Sequence, residues 1–319
     1  MSGSVWPRAR FGPHRLKHVW LVAAPSLGEG SLVPDPWIRG GEVVDEPVEV
    51  RVADPMLRDV TAIRWTQLFL DRPREQVDAA AAFWASVTDS DLSPWRAAHT
   101  FATFEPRGGD AYLRLQAVDG NGGAHLDLEV DDLGAETDRA VGLGARVVEQ
   151  EVVEQDDVQQ DDVDQGDGLV VLRSPAGLGF CLSRHRGATG RPPPVGQPTT
   201  RVDQVCLDLP AAVHGIEAAF WTRLTGWERH RGRLPEFEVL APPAGMPVRI
   251  LLQRLTGGDT AGAHVDLATT DRVATRAQHV ALGARELGVH EHWSVMRDPA
   301  GGVYCLTDRD PLTGSLPPA

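Results

Sequence analysis

The pentapeptide Ala124-His125-Leu126-Asp127-Leu128 returns later in the chain as Ala263-His264-Val265-Asp266-Leu267. The match widens in both directions. Leu143-Gly144-Ala145-Arg146 returns as Leu282-Gly283-Ala284-Arg285, and Arg173-Ser174-Pro175-Ala176-Gly177 as Arg297-Asp298-Pro299-Ala300-Gly301. Cys181-Leu182 answers to Cys305-Leu306, and upstream Ala81-Ala82-Phe83-Trp84 answers to Ala218-Ala219-Phe220-Trp221. The copies lie 139 residues apart at the histidines (125 and 264) and 124 apart at the cysteines (181 and 305). A period of this size is a duplicated domain, too long for a solenoid unit. The shrinking offset places an insertion in the first copy. A residue that matters to function is expected in both copies, or its loss from one copy is informative.

Bulk properties narrow the partners. The 319 residues suit about two domains. Acidic residues outnumber basic ones 45 to 31, for a net charge of −14. That argues against nucleic acid, whose phosphates need clustered Lys and Arg. The three cysteines (Cys181, Cys206 and Cys305) are scattered and form no disulfide framework. They point to a reducing, cytoplasmic setting. No apolar run is long enough to span a bilayer, so no membrane partner is expected. The stretch Arg15–Ala24 is a poor signal peptide, because its apolar core is short and Pro25 closes it.

Residues 1–58 have no counterpart in the repeat and read as a poorly ordered extension. Met56, just ahead of the first copy, is a candidate alternative start. The first copy spans 59–185 and the second 201–309. A Pro-rich linker at 186–200 reads as stiff and exposed, and 310–319 form a tail. The insertion falls at about 149–168 and reads as an acidic, solvated loop.

Within the first copy, Thr61–Leu70 alternates as a strand. Asp71 and Pro73 then read as the cap and first turn of a helix over Arg74–Val87. Strands follow near Thr100–Phe104 and Ala111–Val118. The second half repeats the scheme: a strand at His125–Val130, a helix at Gly134–Leu143 stopped by Gly144, and strands at Val147–Val153, Leu169–Leu172 and Gly179–Leu182. The second copy follows the same order. Each half is therefore strand, helix, then three strands. Leu68 and Leu70, with Val205 and Leu207, suit the helix-facing side of the first strand. Gln67 and Phe69, with Gln204 and Cys206, face the other way. Phe83-Trp84 and Phe220-Trp221 read as helix-to-sheet packing. His290 and His292 lack counterparts and read as loop-edge residues.

Four such modules in two tandem pairs, each pair with a His-bearing strand and a late Pro-x-Gly turn, resemble the vicinal oxygen chelate superfamily. The block from His125 through Leu-Gly-Ala-Arg to Ser-Pro-Ala-Gly and Phe180-Cys181-Leu182 is most similar to its glyoxalase-like domains. The resemblance, over about Thr61 to Asp308, implies an α+β fold. Two modules would curl each sheet into a cup with a ligand site on the concave face. It also implies metal ligands on the first and last strand of each module. The histidine position is matched by His125 and His264. The last-strand glutamate positions fall on Cys181 and Cys305. The other expected glutamate falls on Gln116 and Gln253. The remaining histidine position falls on Trp65 and Val202 or, two residues along, on Gln67 and Gln204. By this carry-over both copies have lost their carboxylates.

The expectation is a small-molecule-binding protein of glyoxalase-like type, whose chemistry, if it is catalytic, is that of a lyase or isomerase with a diverged metal site. His125 and His264 are the candidate catalytic groups. Gln67, Gln116, Gln204 and Gln253 are candidate substrate contacts. His125, Cys181, His264 and Cys305 are candidate ligands for an unidentified divalent metal, if any cofactor is held. Two bland readings stand beside these: strand histidines that only shape a pocket, and cysteines that act as small buried hydrophobes. The alternative function is drug sequestration of the bleomycin-resistance kind, aided by the acidic charge. The chain is expected as a monomer whose two domains imitate a dimer, or as a homodimer.

Overall fold

A computed structural model describes residues 63–151 and 168–317. Expectations for the N-terminal extension, for Met56 and for most of the acidic insertion lie outside the described residues.

The first copy contains β1 (Trp65–Pro73), α1 (Val77–Val87), β2 (Ser90–Leu92), β3 (Phe101–Pro106), β4 (Leu113–Val118), β5 (Gly123–Val130), α2 (Leu133–Gly142), β6 (Arg146–Glu151), β7 (Leu169–Arg173) and β8 (Gly179–Arg184). The second contains β9 (Thr200–Pro210), α3 (Ala211–Thr225), β10 (Glu228–Arg231), β11 (Phe237–Ala241), β12 (Arg249–Leu255), β13 (Gly262–Thr269), α4 (Arg272–Ala281), β14 (Arg285–Val289), β15 (Trp293–Arg297) and β16 (Val303–Thr307). Each copy is one eight-stranded mixed sheet, ordered β2-β3-β4-β1-β5-β8-β7-β6 and β10-β11-β12-β9-β13-β16-β15-β14. The fold is α+β with two strand-helix-three-strand modules per sheet. The modules meet where β1 runs antiparallel to β5, and β9 to β13.

Local sequence explains the module boundaries. Asp132 caps α2 by accepting the Ala135 amide at 3.0 Å, and Asp271 caps α4 through Ala274 at 2.9 Å. Gly144 and Gly283 follow the last turns at φ of 109° and 98°, where a side chain would be strained. Asp71 is not a helix cap. It lies inside β1, and a 3₁₀ turn at Arg74–Gln76 leads into α1. The linker also departs from expectation: it is half-buried, not exposed. Asp110 accepts the Thr189 and Gly190 amides at 2.8 and 2.7 Å, and Arg201 donates to the Pro192 carbonyl.

Alternate β1 side chains meet opposite environments. Leu68 and Leu70 are fully buried in the core, while Gln67, Phe69 and Asp71 meet the polar concave face. The helices do more than cover their own sheets. Phe83 and Trp84 of α1 pack on Tyr304 of the second copy, at 5.9 and 5.2 Å between ring centres. Phe220 and Trp221 of α3 pack in return on Phe180 of the first, at 5.8 and 5.3 Å. The two copies therefore share one core by exchanging helix faces. Truncating a buried Trp such as Trp84 removes about 3–5 kcal/mol of such packing.

The second sheet is strongly curled. β11 and β15 stand five strand spacings apart in sheet order, about 24 Å if the sheet were flat. Yet Phe237 of β11 meets Trp293 of β15 edge-to-face, with ring centres 5.9 Å apart. Two wings of one sheet thus touch across a trough.

Candidate functional site: paired cups with a histidine on each inner wall

The floor of each cup is built from the central strands. In the second copy, the register sets His264 opposite Cys206, and Asp266 opposite both Gln204 and Cys305. Gln253 of β12 lies opposite Asp208. Residues two apart on a strand share a face, so His264 and Asp266 of β13 project together into the trough.

His264 is gripped from both sides. Its Nδ1 lies 2.8 Å from Asp208 Oδ2, and its Nε2 lies 3.3 Å from Asp266 Oδ1 and 3.5 Å from Cys305 Sγ. On the Nδ1 side, Cys206 Sγ is 3.8 Å from Asp208 and donates to Gln253 Oε1 at 3.4 Å. Gln204 donates to the other oxygen of Asp266, and Arg249 donates to Gln204 at 2.7 Å. Asp266 Oδ1 itself is buried and has no hydrogen-bond donor. If Nδ1 carries the proton toward Asp208, then Nε2 and Asp266 Oδ1 face each other as two acceptors. That arrangement needs a proton or a metal cation between them.

The electrostatics agree. Burial works against charge on His264, but Asp208, Cys206 and Cys305 outweigh it and hold the imidazole well above its ordinary range. Burial also opposes ionisation of Asp266. The adjacent His264 and the charge of Arg309 prevail, so its carboxyl sits below the usual value. Burial pushes the Cys305 thiol up to about 11 and the Cys206 thiol well above normal. Neither thiol is a ready nucleophile at neutral pH without a cation beside it.

The first cup repeats the pattern. His125 Nδ1 lies 2.8 Å from Asp71 Oδ2, and its Nε2 lies 3.6 Å from Asp127 Oδ1. Cys181 is opposite Asp127 in the register, and Asp127 Oδ1 is again buried without a donor. Each copy thus brings an imidazole, a carboxylate and a thiol together, their ligand atoms all within 4.8 Å of one another.

A family model described as glyoxalase-like domain matches the chain over residues 67–183 and 204–307. The chain belongs to the glyoxalase-like domain family. Among solved structures it is similar to a Mn(II)-bound glyoxalase from Novosphingobium aromaticivorans (21% identity, 82% of this chain and 88% of that one, TM-score 0.53). It is also similar to a 2,2',3-trihydroxybiphenyl 1,2-dioxygenase from Sphingomonas wittichii (12% identity, 80% and 95%, TM-score 0.52). No curated protein sequence matches it. These likenesses place the fold in the vicinal oxygen chelate superfamily. None of the helices among the described residues is long and apolar enough to cross a membrane.

In this glyoxalase-like protein the two cups differ in access. The first-cup histidine is covered by Phe69, whose ring stacks on His125 at 4.5 Å and 13°. The matching position in the second copy is Cys206. The His125 and Asp71 side chains are 5% and 7% exposed, against 13% and 26% for His264 and Asp208. Further along the first cup, Glu129 accepts from Gln67 at 2.7 Å and lies 3.0 Å from His185. The second cup opens instead into a pocket that is continuous with solvent. Its lining includes His264, Asp266, Cys305, Gln204, Gln253, Phe237 and Trp293.

All the expected site residues face the cups. Gln67 and Gln204 are engaged by carboxylates and arginines, which suits holding neighbours in place. His292 lies in the turn between β14 and β15, as a loop-edge residue should, yet it also lines the second pocket. The superfamily's usual ligand positions carry no carboxylate, but each cup holds carboxylates at other positions. Asp127 and Asp266 stand two residues after the histidines, and Asp71 and Asp208 reach the histidine Nδ1 atoms from the first strands. The signal was present in the sequence, since His-x-Asp and Asp-x-Pro (Asp71-Arg72-Pro73, Asp208-Leu209-Pro210) both recur. The carry-over sought carboxylates only at the superfamily's usual ligand positions.

Proposed function

We propose that the second cup is the working site of this protein. It binds a small molecule beside a divalent transition-metal ion held by His264 Nε2, Asp266 Oδ1 and Cys305 Sγ. The observation that carries this reading is the orphaned, buried Asp266 Oδ1, 3.3 Å from a ring nitrogen and opening onto the pocket. The donor set fits the ion. Imidazole, carboxylate and thiolate together suit Zn²⁺, Co²⁺, Ni²⁺ or Fe²⁺ better than Mg²⁺. Asp208 at Nδ1 supplies the outer carboxylate that orients a ligating histidine. Such an ion would act as a Lewis acid on substrate oxygen, in keeping with lyase or isomerase chemistry of the glyoxalase type. Gln253 and Gln204 stand in the lining to orient a polar substrate group.

The first cup serves as a scaffold in this reading, with Phe69 where a ligand would sit. The exchanged helices let one chain do what a dimer would, so the protein acts as a monomer. Three unpaired, buried cysteines support a cytoplasmic setting. Sequestration of a cationic drug has less support, because the second lining holds Arg233, Arg249 and Arg309 against the single carboxylate of Asp266.

The test is a Co²⁺ titration of the full chain purified without chelators. One equivalent should bind with a thiolate-to-cobalt absorption in the near ultraviolet. Cys305→Ala and His264→Ala should abolish that band, and His125→Ala should keep it. A wild-type protein without the band, or its loss in His125→Ala alone, would overturn the reading.

A further inference from the structure

Resting on that assignment of the second cup, we infer that its ligand is an arylalkanoic acid, a flat apolar body carrying one carboxylate, and that Arg249 binds the carboxylate.

The argument starts from charge. Arg309 is buried and ion-paired with Asp203. Arg233 donates to the Pro317 carbonyl and lies 3.0 Å from His292. Like Arg233, Arg249 has no carboxylate within 4 Å among the described residues, its Nε donating to the neutral Gln204 amide; unlike the exposed Arg233, it is partly buried. It is a partly buried cation on the pocket wall with no carboxylate in direct contact, Asp203 and Asp266 acting on it only from a distance. Burial, with the charge of Arg309 next to it, lowers its pKa to about 10, which leaves it charged at neutral pH. A ligand anion would relieve both the desolvation and the repulsion, and guanidinium geometry suits a carboxylate held by two parallel hydrogen bonds.

The head group should be singly charged. Only one partly buried guanidinium of the lining lacks a direct carboxylate contact, and Asp266 and Asp203 act on it from a distance, so a phosphate dianion would meet more of their repulsion than a carboxylate. The body should be flat and apolar. Phe237 and Trp293 meet edge-to-face across the trough, with Leu234, Val239, Leu251 and Leu316 completing the apolar wall. Position sets the length. Arg249 sits two strands from β13, about 10 Å laterally from the His264 group. A carboxylate on Arg249 thus leaves room for a ring or short chain reaching toward that cluster.

The experiment measures binding of phenylacetate and 3-phenylpropionate to the full chain by calorimetry. The two corresponding primary amides and inorganic phosphate serve as comparisons. At least one acid should bind about tenfold more tightly than its amide and than phosphate. Arg249→Met should lose that preference, and Arg249→Lys should retain part of it as a point charge. The Co²⁺ band should survive in Arg249→Met, which separates this inference from the metal assignment. Failure of both acids to bind the wild type, amides binding as tightly as acids, or a preference for phosphate would each overturn it. The acid-to-amide comparison needs only the wild type, so it stands even if a variant fails to fold.

Discussion

The two cups hold nearly the same triangle of imidazole, carboxylate and thiol, yet among the described residues the second is the more exposed. The difference lies one residue away from the triangle. At the β1/β9 position facing the histidine, the first copy has Phe69 and the second has Cys206. A phenyl ring covers the imidazole in one case, and a thiol leaves it accessible in the other. The charge environment follows the same split. Burial raises the Asp127 carboxyl, whereas contacts with His264, Arg309 and Gln204 lower that of Asp266. The open cup is therefore the one whose carboxylate is readier to meet a cation. After duplication, donors persist on both floors while access and ionisation are set by their neighbours.

The two helix-exchange interfaces show the same division of labour. On one side, Arg72 donates to Asp298 at 2.7 Å, with both side chains essentially inaccessible. Asp298 also accepts from Trp84 at 2.9 Å and from the Ala300 and Gly302 amides. Gly302 is required here, because a Cβ would fall 2.2 Å from the guanidinium. On the other side these positions are Leu209, Ser174 and Leu178, and the carboxylate comes from Glu217 on α3. It accepts from Trp221 and from the Ala176 amide, both at 2.8 Å. Removing one partner of the buried ion pair strands a charge. Asp298→Ala should therefore lower unfolding stability by about 3–5 kcal/mol, as much as truncating Trp84 at the same interface. Chemical denaturation measures it. An Arg72→Met/Asp298→Ala double variant should recover part of the loss. A cost for Asp298→Ala below about 1 kcal/mol would show that water reaches the pair.

The contrast between the cups can be broken by exchanging the two covering residues. Phe69→Cys should cost about 3 kcal/mol by deleting a buried ring, and should uncover His125. Cobalt stoichiometry should then rise toward two equivalents. Cys206→Phe should close the second cup and remove its single equivalent with little change elsewhere. If Phe69→Cys binds no additional cobalt, the raised Asp127 carboxyl, and not the phenyl cover, is what disables the first cup.

Much of this arrangement was legible in the sequence. The repeat, the strand parity of Gln67 and Gln204 and the Gly144 stop follow from spacing and alternation, while the cup positions of the histidines and cysteines came from the family resemblance. Three features did not follow. Asp71 carried a helix-start signal because it precedes a proline, but the strand runs on to Pro73 and keeps Asp71 beside His125. The aromatic pairs on α1 and α3 were legible as packing residues. Their partners in the other copy were not, since periodicity reports that a face is buried and not what buries it. Cup access depended on Phe69 against Cys206, and an apolar residue facing a polar trough reads the same whether it lines the space or fills it.

One more asymmetry between the interfaces responds to pH. His279 of α4 is buried against Phe83 of the first copy, with ring centres 5.5 Å apart, and its Nδ1 lies 2.9 Å from the Tyr304 hydroxyl. Among the described residues no carboxylate offsets the desolvation, and burial lowers its pKa to about 4. The neutral ring accepts from Tyr304, and a protonated ring would lose that bond and carry an unpaired charge. A group whose folded pKa lies below its unfolded value of about 6.5 contributes stability that is complete above pH 6.5. That contribution declines as pH falls toward 4. From this residue alone, unfolding free energy at pH 5 should be about 2 kcal/mol below that at pH 8. His279→Gln, which still offers an acceptor to Tyr304, should remove that increment of pH dependence. The position matching His279 in the first copy is Ala140, which has no proton to gain. Ala140→Leu should therefore leave the pH slope unchanged while altering packing. An equal slope in wild type and His279→Gln would mean that water enters the Phe83–Tyr304 contact and charges the ring without penalty.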